Sequence, residues 1–275
     1  MSTAPSSKTI LPNHSVLSPI ARTLTRLSVA SIFALTASTA SADRILGIYV
    51  GANSWQQAYD GYIQDLDASN PVNVDFEDDL GFDDDNGAVL YVALEHPIPF
   101  LPSIQLKHTN IEIEETNTLS RLIDIGGQPF IVNTQVNSEA DFSHTDITLY
   151  YQILDNIVSL DLGLTGRIFD GFVEVDETSG AASGREDFDA VVPLVYVKAR
   201  VDLPFTGGFA SVSGNIIGAN GSMFADYEAT VGWEGKFGLG IEGGYRILDL
   251  ELDDIDGVDA ELTIDGAFAG IFYHF

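Results

Sequence analysis

His144 and Asp146 come nearest to catalytic chemistry in type and spacing. On a strand, positions i and i+2 share a face. An imidazole then stands beside a carboxylate, as a general base stands beside the group that orients it. A base also needs a nucleophile within reach, and the sequence forces no Ser or second acidic pair next to this one. Two acidic stretches offer oxygen ligands to hard cations: Asp75 to Asn86 and Asp253 to Asp259. Leu252 and Phe82 fall where an EF-hand loop needs its first ligand, so a solvated acidic surface with weak divalent binding is the expectation. Gly126-Gly127, Gly207-Gly208 and Gly243-Gly244 lack the strand–loop–helix setting of a phosphate cradle. No catalytic, cofactor-binding or metal-ligating residue is assigned.

A second group of charged residues becomes visible only through periodicity. Val158, Leu160, Leu162 and Leu164 alternate with Ser159, Asp161, Gly163, Thr165 and Arg167. Near 191–203, apolar odd positions oppose Leu194, Tyr196, Lys198, Arg200 and Asp202. The same alternation recurs over 45–53, 87–96, 103–114, 146–154, 209–217, 224–233, 238–252 and 260–275, which makes ten candidate strands of a membrane barrel. Lys198, Arg200, Asp202, Arg167, Asp161, Glu228, Glu242 and Arg246 then fall on the polar, inward face. Buried charges must be paired, so the expectation is a salt-bridged plug in a narrow lumen. A charged selectivity ring is the competing reading.

The connections alternate in character. Short turns are expected at Pro97–Pro102, Asp155-Asn156, Pro204–Gly208 and Glu234–Phe237. Long acidic loops are expected at 54–86, 115–139 and 174–188, with shorter ones near 219–222 and 253–259. Short turns on one side and long loops on the other are the barrel pattern, with the short turns periplasmic. A β-sandwich also alternates, but it needs only one apolar face turned into a core. Apolar parity changes along the last hairpin: Ile241, Tyr245 and Ile247 are odd, Leu248 and Leu250 even. Leu262 and Ile264 are even, Ile271, Tyr273 and Phe275 odd, so a β-bulge is expected near each switch.

Both chain ends fit export to a membrane. Residues 1–42 carry Lys8, Arg22 and Arg26, then the apolar run Leu27–Leu35 and the small-residue pattern Ala40-Ser41-Ala42. That reads as a signal peptide with an extended N-terminal region, with residues 43–275 as the barrel domain. The strand Gly266–Phe275 places Phe275, Tyr273 and Ile271 on one apolar face. A closed barrel uses such a strand by pairing it with the first. Without residues 1–42, nine Lys/Arg remain against 41 Asp/Glu, a net charge of −32. That balance argues against a nucleic-acid partner. The chain has no cysteine, which excludes a disulfide framework and thiolate metal sites.

The segments Gly243–Asp256 and Leu262–Phe275, with Leu46–Ala52 and the Pro97–Pro102 turn, resemble an uncharacterised proteobacterial family of outer-membrane β-barrel proteins. Some members are associated with GlyGly-type C-terminal sorting systems. The resemblance supplies no catalytic residues. The combined expectation is an all-β, antiparallel, up-and-down transmembrane barrel of about ten strands in the cell outer membrane. Its expected partners are outer-membrane lipid, lipopolysaccharide and, through the strand ending at Phe275, the barrel-assembly machinery. A structural surface barrel or narrow solute passage is expected; the alternatives are a barrel-rim enzyme acting on lipid or peptide, with His144 and Asp146 as candidates, and a soluble periplasmic β-protein.

Overall fold

The computed structural model describes residues 46–275 apart from 67–70, 99, 220 and 256; the expected signal peptide lies outside them. The first strands are β1 (Gly47–Asp65), β2 (Val74–Asp75), β3 (Asp85–Glu95) and β4 (Ser103–Thr109). Next come β5 (Glu112–Thr118), β6 (Ile123–Ile125), β7 (Gln128–Phe130) and β8 (Gln135–Asp141). Then follow β9 (His144–Asp155), β10 (Val158–Glu177), β11 (Ser183–Asp202) and β12 (Gly208–Ala219). The last are β13 (Ser222–Glu234), β14 (Leu239–Ile255) and β15 (Val258–His274).

Ten of these close on themselves. The order is β1-β3-β4-β9-β10-β11-β12-β13-β14-β15, and β15 returns to β1 with Tyr49 opposite His274 and Trp55 opposite Phe268. All the pairings are antiparallel, so the wall is an up-and-down barrel with no free edge in its closed part. The four expected short turns lie at one end with the first residue of β1 and the last of β15. Phe100 and Phe205 sit in two of these turns at φ of 67° and 66° and are fully exposed, like Phe237 in a third.

The outer surface is apolar where it must meet lipid. Leu162, Leu164, Val191, Val195, Ile241 and Ile271 all point outward and are exposed. Exposed Tyr151, Trp233 and Tyr273 lie near the short-turn end, where an aromatic girdle meets the membrane interface. Leu164→Arg should therefore destabilise the refolded barrel by about 2–4 kcal/mol in lipid vesicles. Glu251→Arg, beyond the apolar band and opposite Glu261, should cost nothing measurable by the same urea titration.

The expected long loops are corrected. β1 runs on to Asp65, β5 to β8 occupy most of 112–141, and β10 and β11 continue to Glu177 and from Ser183. These extensions still alternate, but with the apolar residues turned inward: Trp55, Tyr59, Val173 and Val175 are buried, whereas Asp60 is exposed. The strand expected at 103–114 is also cut short. After Thr109 the chain leaves the wall, and β5 pairs with β8, which pairs with the upper part of β10. β5 ends this path, with β8 as its one strand partner among the described residues.

The bulges expected at the parity switches are absent. β14 and β15 stay in one register from Leu239 opposite Tyr273 to Leu252 opposite Ala260; the register shift comes later, between Leu252 and Ile255. Even residues face inward throughout. What changes is the surroundings: Ile241 and Ile271 face lipid, while Leu248, Leu262 and Ile264 face an internal apolar core. The switch marks the level at which the barrel leaves the bilayer and becomes a water-bathed sheet around its own core.

Candidate functional site

The core above that level is built from nearly every side of the wall. Trp55, Val89, Leu194, Phe224, Leu248 and Ile264 meet Phe76, Leu80 and Phe82 from the segment between β2 and β3. That segment is a tight helical turn. Asp75 accepts the N–H groups of Glu77 and Asp78 on its side chain and those of Asp79 and Leu80 on its carbonyl. Asp79 is fully buried, accepts the N–H of Asp75 at 2.9 Å, and forms an ion pair with Arg121 from the β5–β6 connection. Several of the acidic stretch's carboxylates thus act as local caps.

Beneath the core lies a layer of buried charge. Arg167 meets Asp146 through two hydrogen bonds of 2.7 Å each, and its second terminal nitrogen also reaches Asp226 at 2.5 Å. Arg246 donates to both oxygens of Asp226 at 2.9 and 2.7 Å, and to Thr109 at 3.0 Å. Two guanidinium groups therefore balance two carboxylates, each pair sharing Asp226 at the centre. The Arg246 guanidinium lies 4.5 Å from the Trp55 ring centre and that of Arg167 lies 5.0 Å from Phe224, so the charged layer packs directly against the apolar core.

His144 and Asp146 enter this layer rather than an open rim. Both are buried. His144 Nδ1 lies 3.1 Å from the Phe142 carbonyl and Nε2 lies 3.4 Å from Arg246, while Asp146 is engaged by Arg167. His144, Asp146 and Asp226 place ligand atoms within 4.8 Å of one another. The two arginines already occupy those carboxylates, and a divalent ion would add positive charge to a balanced layer.

All eight charged residues expected to face inward do so: Arg167 and Arg246 in the buried layer, the other six along a cavity of about 380 Å³ below it. The cavity runs from Asp146 to Glu95, Asp202, Glu234 and His274 beside the short turns. Lys107 meets Glu228 at 2.9 Å, and Arg200 meets Asp202 at 2.8 Å while lying 3.7 Å from the Phe209 ring centre. Sequence reasoning gave no role to Asp226, Lys107, Tyr91 or Tyr150. Asp226 shares parity with Glu228, so the signal was present.

On the water-bathed part of the sheet around the apolar core, the cap, Glu114, Glu139 and Glu174 lie directly opposite one another across β5, β8 and β10. Burial and these two neighbours push the Glu139 carboxyl above the usual range.

A closed sheet with an apolar exterior and a charged interior satisfies every backbone group in lipid only as a spanning barrel. The chain is a membrane-spanning β-barrel.

No family model and no curated protein matches the chain. Among solved structures it is similar to the outer membrane protease OmpT from Escherichia coli, at 10% identity and a TM-score of 0.44, covering 83% of this chain and 97% of that one. It is also similar to the transport unit of the autotransporter AIDA-I from Escherichia coli (7%, TM-score 0.38, covering 89% and 94%). A Pseudomonas aeruginosa FadL homologue matches at 9% identity and a TM-score of 0.36, covering 84% and 90%. Likenesses this distant say nothing of what the chain does.

Proposed function

We propose that this protein is a non-enzymatic surface barrel with a closed lumen, exposing an acidic cap outside the cell and a blind polar cavity on the side of the short turns. The observation that carries this reading is the Arg167–Asp146–Asp226–Arg246 layer, buried beneath a core drawn from strands all around the wall. A passage would need a continuous polar path, and a ten-stranded wall is narrow enough for side chains to fill. A rim enzyme would need His144 within reach of a substrate, and its burial argues against that. The acidic cap suits bridging through divalent cations to lipopolysaccharide. The apolar β15 face suits recognition by barrel-assembly machinery, and association with a GlyGly-type sorting system remains part of the proposal through the resemblance.

The test is single-channel recording in a planar bilayer. The refolded, heat-modifiable barrel should insert stably and pass no discrete current steps. Reproducible steps from the unmodified protein would overturn the closed-lumen reading.

A further inference from the structure

The cavity between the ionic layer and the short turns holds more negative charge than its own cations neutralise. Apart from Asp146, which Arg167 balances, six carboxylates line it against three Lys/Arg. The three cations are accounted for: Lys107 pairs with Glu228, Arg200 with Asp202, and Lys198 stands directly across from Asp161 in register. Glu234 has His274 at 3.2 Å. Glu242 and Glu95 remain. Each is oriented by a phenol, Tyr91 donating to Glu242 and Tyr150 donating to Glu95, both at 3.0 Å. Neither has a cationic partner among the described residues.

Glu95 and Glu242 are half-buried inside a narrow lumen, and a carboxylate so placed and given only neutral donors attracts a cation. The kind of cation follows from spacing. Among the described residues, the one cluster able to gather three ligand atoms around a single ion is His144, Asp146 and Asp226, outside this group. The cavity carboxylates are therefore too dispersed to chelate one metal ion, whereas an elongated molecule with separated positive ends can meet them. A volume of about 380 Å³ equals that of roughly a dozen waters, enough for a short amine. The tyrosine and phenylalanine rings of the wall add faces that attract ammonium groups.

We propose that this cavity is a binding site for a small organic amine, entered from the short-turn, periplasmic side, with Glu95 and Glu242 as its anionic anchors. The inference rests on the closed-lumen reading, because a through-pore would pass the amine rather than hold it.

The probe is 1,4-diaminobutane, titrated calorimetrically into the refolded mature chain at about 0.15 M salt, where exposed charges are largely screened. Binding should weaken at least tenfold in Glu95→Gln/Glu242→Gln and stay unchanged in Asp83→Asn/Asp84→Asn on the cap. No binding, equal loss in the cap variant, or equal affinity for sorbitol or citrate would overturn the proposal. A second measurement covers a cavity variant that fails to refold. The chain has no cysteine, so Ser211→Cys, on the cavity wall, gives one thiol. A cationic methanethiosulfonate should label it about tenfold faster than an anionic one, and diaminobutane should slow the cationic reagent. Equal rates, or no protection, would count against the site. A silent barrel that binds no diamine sinks this inference alone, whereas current steps sink the closed-lumen reading.

Discussion

Replacing Arg167 by Met is expected to destabilise the folded barrel by about 3–5 kcal/mol. The side chain is fully buried. It supplies both hydrogen bonds that hold Asp146 and one of those that hold Asp226. Met fills similar volume, so the loss is electrostatic: two carboxylates stay out of water with one guanidinium between them. Removing one partner of a buried pair costs far more than the pair contributes, because the remaining charge has been desolvated without compensation. The double variant Arg167→Met/Asp146→Leu should recover most of the loss, since an apolar pair of similar volume is often neutral or stabilising. Urea unfolding of the refolded protein measures both. A loss below about 1 kcal/mol in the single variant would mean that water reaches this layer.

Trp55→Ala should cost about 3–5 kcal/mol by the same titration. Trp55 is fully buried on β1 where the apolar core meets the ionic layer, with Arg246 over its ring. Deleting it opens a cavity beside a charge, and a rigid closed wall relaxes poorly into such a space. Trp55→Phe keeps most of the packing and should cost clearly less. An equal loss in the two variants would move the cause from packing to the indole itself.

The wall of this molecule was readable because lipid outside and polar groups inside impose period-two alternation. Leu162 against Asp161 or Val197 against Lys198 is enough to place a strand and its facing. Apart from the last hairpin, whose expected strands 238–252 and 260–275 reach into it, the cap was not readable as sheet. Asp60, Glu174 and Asp176 look like loop residues because acidic side chains dominate, yet they alternate with Tyr59, Val173 and Val175, which are buried. A membrane strand has its apolar side outward, so the inverted alternation of a water-bathed strand escapes a search tuned to the membrane. The same inversion mimicked a bulge on β14. At the site, parity placed the eight inward charges. It left open that Arg167 and Arg246 would converge on Asp226, because convergence across a lumen depends on strand order and shear, not on spacing along one strand.

The closed wall has no place for another strand to join, but β5 does. It ends its path with one side unpaired by any described strand, and its exposed positions begin with Glu112 and Glu114. An incoming copy of β5 would bring these carboxylates to within about 5 Å of like charges. Where these molecules crowd together in a membrane, the cap therefore carries its own barrier to fibre-like stacking: the open seam that β5 presents repels a copy of itself.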